Sequence, residues 1–208
     1  MKNITILYIV RHGESEGNVK GLVQGQTNFP LTEKGILQAQ SLADQFSSIS
    51  FAKIYSSDLL RAKHTAELIG AGRNIDHVLD LRLREQSHGE YENTKGSEYI
   101  PHFIKWNEYT DEQRHDYKVA KNGETGREAF ERFILFLNEI KANHKGENVL
   151  IVTHGGLIRV FLVFLGYASY DTFHGLHNTG YVVAELAGSD IKIREVQGRK
   201  EMFRPDLL

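Results

Sequence analysis

Three short apolar runs, rich in β-branched residues, read as strands covered on both faces: Ile4–Val10, Lys53–Ser56 and Val149–Thr153. Helical spacing fills the intervals. Thr32 can cap a helix carrying Ile36, Ala39, Ala43 and Phe46, and Ser57 or Asp58 can cap another with Leu59, Ala62, Ala66 and Ile69 on one face. Thr125 and Glu128 make a capping-box pattern ahead of Phe130, Phe133, Ile134, Leu137 and Ile140. Leu157 to Phe164 reads as a short buried helix, and Tyr181–Leu186 and Ile191–Val196 flank a hairpin turn at Ala187-Gly188-Ser189-Asp190. Strands alternating with helices predict an α/β three-layer sandwich with a mostly parallel central sheet. The segment from Asp80 to Asn122 breaks the rhythm. Only Tyr99, Phe103 and Trp106 indicate a helix there, and residues 86–124 are expected to form an insertion beside the site.

Length and composition narrow the picture. The 208 residues suffice for one sizeable core, expected as a single domain over residues 1–208. With 25 basic and 27 acidic residues, no global field favours nucleic acid or an anionic membrane. The chain has no cysteine, hence no disulfide framework and no thiolate nucleophile, as suits a reducing cytoplasm. The N-terminal apolar run is short and lacks a cleavage site, so it reads as a strand rather than a signal peptide. The stretch Val149–Leu165 contains His154, Gly155-Gly156 and Arg159 and fails as a membrane span. No His-Glu-x-x-His spacing and no Gly-x-x-x-x-Gly-Lys loop occur, so neither a metal site nor a cofactor is expected.

Open parallel sheets place ligands beyond the carboxyl ends of their strands. One strand runs into Arg11-His12-Gly13-Glu14, another into Thr153-His154-Gly155-Gly156, and a third into Ser57-Asp58-Leu59-Leu60-Arg61. Two histidines and two arginines therefore gather on one edge, a chemistry that favours phosphate. Guanidinium groups grip phosphate oxygens bidentately at any cellular pH. Helix N-termini would add free N–H groups, and the glycines at 13, 155 and 156 would let backbone approach a ligand. A neutral imidazole can attack phosphorus, and fixed cations stabilise the transferring group.

Arg11-His12-Gly13-Glu14-Ser15-Glu16-Gly17-Asn18 resembles the signature of the histidine phosphatase superfamily, the phosphoglycerate-mutase-like enzymes. The likeness continues through Gln24-Gly25, Pro30-Leu31-Thr32-Glu33-Lys34-Gly35, Ser56 to Ala62, Leu83-Arg84-Glu85 with Gly89, Thr153 to Gly156, and Asn178, and so covers most of the chain. The resemblance implies that His12 becomes phosphohistidine. It implies that Arg11, Arg61 and His154 hold phosphoryl oxygens, that Asn18 adds a neutral donor, and that Glu85 protonates the leaving oxygen. Gln24, Gly25 and Gly155 are expected at the phosphate, with Thr153 and Ser57 orienting the site. Asn28 and Asn93 depart from the aspartate and glycine expected there. The chain is shorter than the mutase branch usually is and has no Arg-Arg pair, so the expected activity is a phosphatase, with phosphoglycerate mutase as the alternative. A non-catalytic phospholigand-binding protein ranks third, because the reactive set is complete. Arg114, Lys118 and Lys121 are candidates for a second anionic group. The expected partner is a small phosphate ester, with no nucleic acid or membrane; a homodimer stays open.

Overall fold

A computed structural model describes residues 4–99, 106–188 and 190–200. The first apolar run forms β1 (Thr5–Arg11), shifted by one residue from the expected span, and the other two form β2 (Lys53–Ser56) and β4 (Asn148–Thr153). They join β3 (His77–Leu79), β5 (Leu176–Ala187) and β6 (Asp190–Arg199) in one sheet of order β3-β2-β4-β1-β5-β6. The pairs β2–β3, β2–β4 and β1–β4 are parallel. Strand β5 runs against both β1 and β6, so the sheet is mixed but mostly parallel, as expected. Strand β3 had no signal in the sequence. It has three residues, lies at the edge and exposes Val78 and Leu79.

Alternation along each central strand divides the core between two layers of helices. Leu7 and Ile9 of β1 and Val149 and Ile151 of β4 pack with Phe133, Phe136 and Leu137 of α6 (Gly126–Asn143) and Leu157, Ile158 and Phe161 of α7 (Gly155–Phe164). Val10, Leu150 and Val152 face the other way, against Leu42 of α2 (Glu33–Gln45), the adjoining Phe46, and Ala62, Ala66 and Ile69 of α3 (Leu60–Gly70). With both faces covered, the strands need no polar positions, which is why they read as continuous apolar runs.

The caps are partly as expected. Thr32 Oγ1 accepts from Gly35 N at the start of α2, and Thr125 and Glu128 make a reciprocal capping box on α6. Neither Ser57 nor Asp58 caps α3. Leu59 is its N-cap residue and supplies no side-chain bond; Asn28 Oδ1 accepts from Leu60 N at 2.9 Å instead. Asp58 is drawn away by an ion pair with Arg84. A neutral side chain thus reaches from a distant loop to satisfy the helix end.

The irregular segment holds 3-10 turns at Leu81–Leu83, Gly89–Tyr91 and Trp106–Glu108, with short helices α4 (Gly96–Tyr99) and α5 (Asp111–His115). Phe103, expected on a helix with Tyr99 and Trp106, lies outside the described residues, as does Ser189 of the hairpin turn. Asn93 adopts a left-handed φ of 67°, which asparagine tolerates better than most residues. No described helix is long and apolar enough to cross a membrane.

Candidate active site

Beyond the carboxyl end of β1 lies a cavity of about 260 Å3. Arg11, His12, Asn18, Gln24, Gly25, Arg61 and Glu85 all line it, together with His88 and Tyr99 from the irregular segment. His154 and Gly155 are not on this wall; Gly155 lines a neighbouring cavity beside Arg11. The His154 ring lies 5.2 Å from that of His12, edge to face, and is fully buried.

His12 is held by its backbone first. Its N–H donates to Thr153 O at 3.0 Å, and its carbonyl accepts from Asn178 Nδ2 at 3.1 Å and Thr179 N at 3.3 Å. Thr179 reaches that carbonyl with φ of +59°, an outlier for a β-branched residue. The ring is then fixed at both nitrogens. Nδ1 lies 2.7 Å from Gly13 O, and Arg61 Nε donates to Nε2 at 3.3 Å. A carbonyl can only accept, and a guanidinium can only donate. The pair therefore selects the tautomer with the proton on Nδ1 and the lone pair on Nε2. Burial, then Arg61 and Arg11, hold the ring well below the usual histidine range. His154 is held low in the same way by burial, Arg61 and His12, and both of its nitrogens are without a partner among the described residues.

The two arginines are less available than the sequence implies. Arg61, in the first turn of α3 as expected, is 1% exposed. Its Nη1 donates to Thr27 O at 2.8 Å and its Nη2 to Gly25 O at 2.7 Å, so one hydrogen on each terminal nitrogen remains for a ligand. Burial lowers its pKa to about 10, still charged at neutral pH. Arg11 donates Nη1 to Leu176 O and keeps Nε buried without a partner. Both side chains are positioned by carbonyls rather than by carboxylates, so their charge is not neutralised by contact.

The expected free helix N-termini are also occupied. Ser15 caps α1 (Glu16–Val19), Ser57 Oγ accepts from Leu59 N at 3.2 Å, and Glu85 closes α7. The Glu85 carboxylate accepts from Gly156 N at 3.0 Å, Leu157 N at 2.9 Å and Gln86 N at 2.9 Å. The positive end of a helix attracts this anion across a separation of 71 residues. The backbone of Glu85 is pinned as well, by Arg132 Nη2 at 3.0 Å and Gln26 Nε2 at 3.2 Å on its carbonyl. Arg132 was not foreseen: nothing in the spacing of α6 marks it from other surface arginines. The glycines serve the site's own groups rather than a ligand. A Cβ on Gly13 would lie 2.5 Å from Gly35 O, and one on Gly156 would lie 2.5 Å from Glu85 Oε1.

The neutral groups fall into line around this frame. Asn18 Oδ1 is occupied by Ser15 N and Asn178 Nδ2, which leaves its Nδ2 to offer a ligand. Gln24 Oε1 accepts from Ser15 Oγ at 2.8 Å, and Gly25 supplies the carbonyl that grips Arg61. Thr153 Oγ1 donates to Leu83 O at 2.7 Å and ties β4 to the turn that precedes Glu85. His88, whose proximity to Glu85 in sequence was the only hint, meets Tyr99 Oη through Nδ1 at 2.7 Å. Among the described residues no three histidine, aspartate or glutamate side chains gather as a metal site.

The model of the histidine phosphatase superfamily (branch 1) matches residues 7–198. The adenosylcobalamin/alpha-ribazole phosphatase of Salmonella typhimurium is 36% identical over 164 residues, covering 76% of this chain and 78% of that one. The probable phosphoglycerate mutase GpmB of Cronobacter sakazakii is 35% identical over 149 residues, covering 72% of this chain and 69% of that one. Among solved structures, Bacillus stearothermophilus YhfR superposes with a TM-score of 0.83 at 29% identity, covering 95% of this chain and 98% of that one. With the matched segment running from β1 to β6, the chain belongs to the histidine phosphatase superfamily, branch 1.

Proposed function

We propose that the protein is a phosphatase of small phosphorylated metabolites that works through phosphohistidine at His12. The observation that carries this reading is the fixed ring: Gly13 O holds the proton on Nδ1, so Nε2 carries the lone pair, and Arg61, which donates to it at 3.3 Å and yields it to phosphorus, lines the same cavity as His12. In the first step Nε2 attacks phosphorus and the ester P–O bond breaks; Glu85, which takes up a proton from solvent beforehand, gives it to the departing oxygen. In the second, water attacks phosphorus, gives a proton to Glu85 and releases phosphate as the P–N bond breaks. Arg11, Arg61, His154 and Asn18 stabilise the equatorial oxygens. Thr153, Ser57 and Gln24 orient this set through the contacts above.

In this reading residues 1–208 form one catalytic domain, and residues 86–124 cover the site, with His88 and Tyr99 forming part of its wall. A cysteine-free chain suits a reducing cytoplasm. Relatives of both reaction types match, so the choice of water as acceptor rests on the absence of an Arg-Arg pair.

A panel of phosphate monoesters, assayed with and without chelator, tests the reading. Hydrolysis is expected in both, with His12→Ala inactive. Fast conversion of 3-phosphoglycerate to its 2-isomer in the presence of 2,3-bisphosphoglycerate, with little free phosphate, would establish the mutase instead.

A further inference from the structure

The space around Glu85 continues past the phosphate cavity. A second cavity of about 240 Å3 has Arg11 and Glu85 on its wall too, and adds Gly156, Arg159 and Lys200. A third, of about 250 Å3, shares Gly156 and Arg159 with the second and His88 and Tyr99 with the first. Arg159 thus stands where the outer two cavities meet.

This arginine is poorly compensated. Its Nη2 donates to Tyr170 O at 2.7 Å, and its guanidinium packs 5.2 Å from the Tyr170 ring and 5.6 Å from that of Trp106. Its Nε is buried without a partner, and among the described residues no carboxylate pairs with it. The nearby Asp111 and Asp171 pair with Arg114 instead. That pairing also removes Arg114 from the candidates for a second anion, and Lys118 is bound to Glu128. Lys200 forms no ion pair among the described residues, and burial together with Arg11 lowers the pKa of its ammonium group. Three cations therefore line the second cavity against one carboxylate, Glu85, whose two oxygens already accept backbone N–H bonds. Uncompensated charge in a partly enclosed space favours an anionic ligand.

An ester whose leaving oxygen sits beside Glu85 must extend its alcohol part past that residue. We propose that Arg159 and Lys200 form a second anion site, which receives a carboxylate or phosphate on the alcohol part of the substrate. The favoured substrates are then phosphate monoesters with two anionic groups. Arg159 and Lys200 determine specificity; they do not touch the reacting phosphorus.

The turnover test rests on the phosphatase reading, but a binding test does not. The measurement is the ratio of kcat/KM for 3-phosphoglycerate over glycerol 3-phosphate, which differ by one carboxylate. A second ratio compares fructose 1,6-bisphosphate with fructose 6-phosphate. At least one ratio should exceed unity in the wild type and fall about tenfold or more in Arg159→Met and in Lys200→Met, mainly through KM. Arg159→Lys should retain more of it than Arg159→Met. The arm that responds identifies carboxylate or phosphate. Ratios that stay constant, or variants that weaken both members of each pair equally, overturn the proposal. If the wild type turns over no ester at all, the phosphatase reading falls by itself. Calorimetric binding of the same pairs to the intact protein then decides the second site: equal affinity for 3-phosphoglycerate and glycerol 3-phosphate, and for the two fructose phosphates, would refute it.

Discussion

Gly156→Ala tests the acid role proposed for Glu85, because it moves that side chain without changing its chemistry. A Cβ there would lie 2.5 Å from Glu85 Oε1 and 3.2 Å from Oε2. The first distance is about 1 Å inside ordinary van der Waals separation. The obstructing atoms are the tip of a side chain, so Glu85 must swing away while the backbone of α7 stays. The helix gains about 0.5–1 kcal/mol from losing a glycine. It loses charge-assisted bonds from Gly156 N and Leu157 N, each worth about 1.5–3 kcal/mol when made to a charged group, with solvent offsetting part of that loss. Stability should therefore drop by about 1–3 kcal/mol, readable by urea denaturation. A catalytic group misplaced by about 1 Å can cost ~100-fold in rate. The expected result is a kcat near one-hundredth of wild type on alkyl phosphates. On p-nitrophenyl phosphate, whose leaving group needs little protonation, the loss should be under about tenfold. A variant with the wild-type dependence on leaving group would refute the placement of Glu85 as acid, as would an equal loss on both esters.

Other outcomes follow from the same geometry. Thr179→Asn should raise stability by about 1 kcal/mol, because asparagine accepts the left-handed φ that threonine resists; an unchanged urea midpoint would contradict the strain. His12 and His154 are both held below their ordinary range when folded, so the unfolded chain binds their protons first as the medium is acidified. Their contribution to stability should be complete above about pH 6.5 and shrink below it by up to ~1.4 kcal/mol per pH unit for each ring. Denaturation midpoints from pH 7.5 to 5 should show this slope, and His154→Asn should make it shallower. Arg132→Met should destabilise the protein by about 1–3 kcal/mol, because the carbonyl of Arg82 loses its side-chain donor and that of Glu85 keeps only Gln26; it should also lower kcat more than it raises KM.

The layers of the fold were legible because each central strand is covered on both faces and each long helix shows one apolar stripe. Thr32 and the Thr125–Glu128 pair could be read for the same local reason: a cap and its helix are neighbours in sequence. The start of α3 could not. Ser57 and Asp58 have the right chemistry, but Asp58 goes to Arg84 and the cap comes from Asn28. At the site, identities were readable and engagements were not. Strand ends placed Arg11, His12 and His154 together, while the carbonyls that occupy the guanidiniums come from a loop without periodicity, at Gly25 and Thr27, and from the first residue of β5, Leu176. Arg159 illustrates the limit best. On a helix of otherwise apolar residues it reads only as a reason against a membrane span, and its surroundings appear only once Trp106 and Tyr170 pack beside it.

The pairing of β1 with β4 places Ile6 opposite Asn148 and Arg11 opposite Thr153. During synthesis the first strand must wait for a neighbour encoded roughly 140 residues later, about 7 to 30 seconds at ordinary translation rates. Through that interval an apolar ribbon with open hydrogen-bonding edges exists without a mate, and β5 arrives later still. Production under heat or overexpression should therefore fail by aggregation of half-made chains before the finished protein loses its shape.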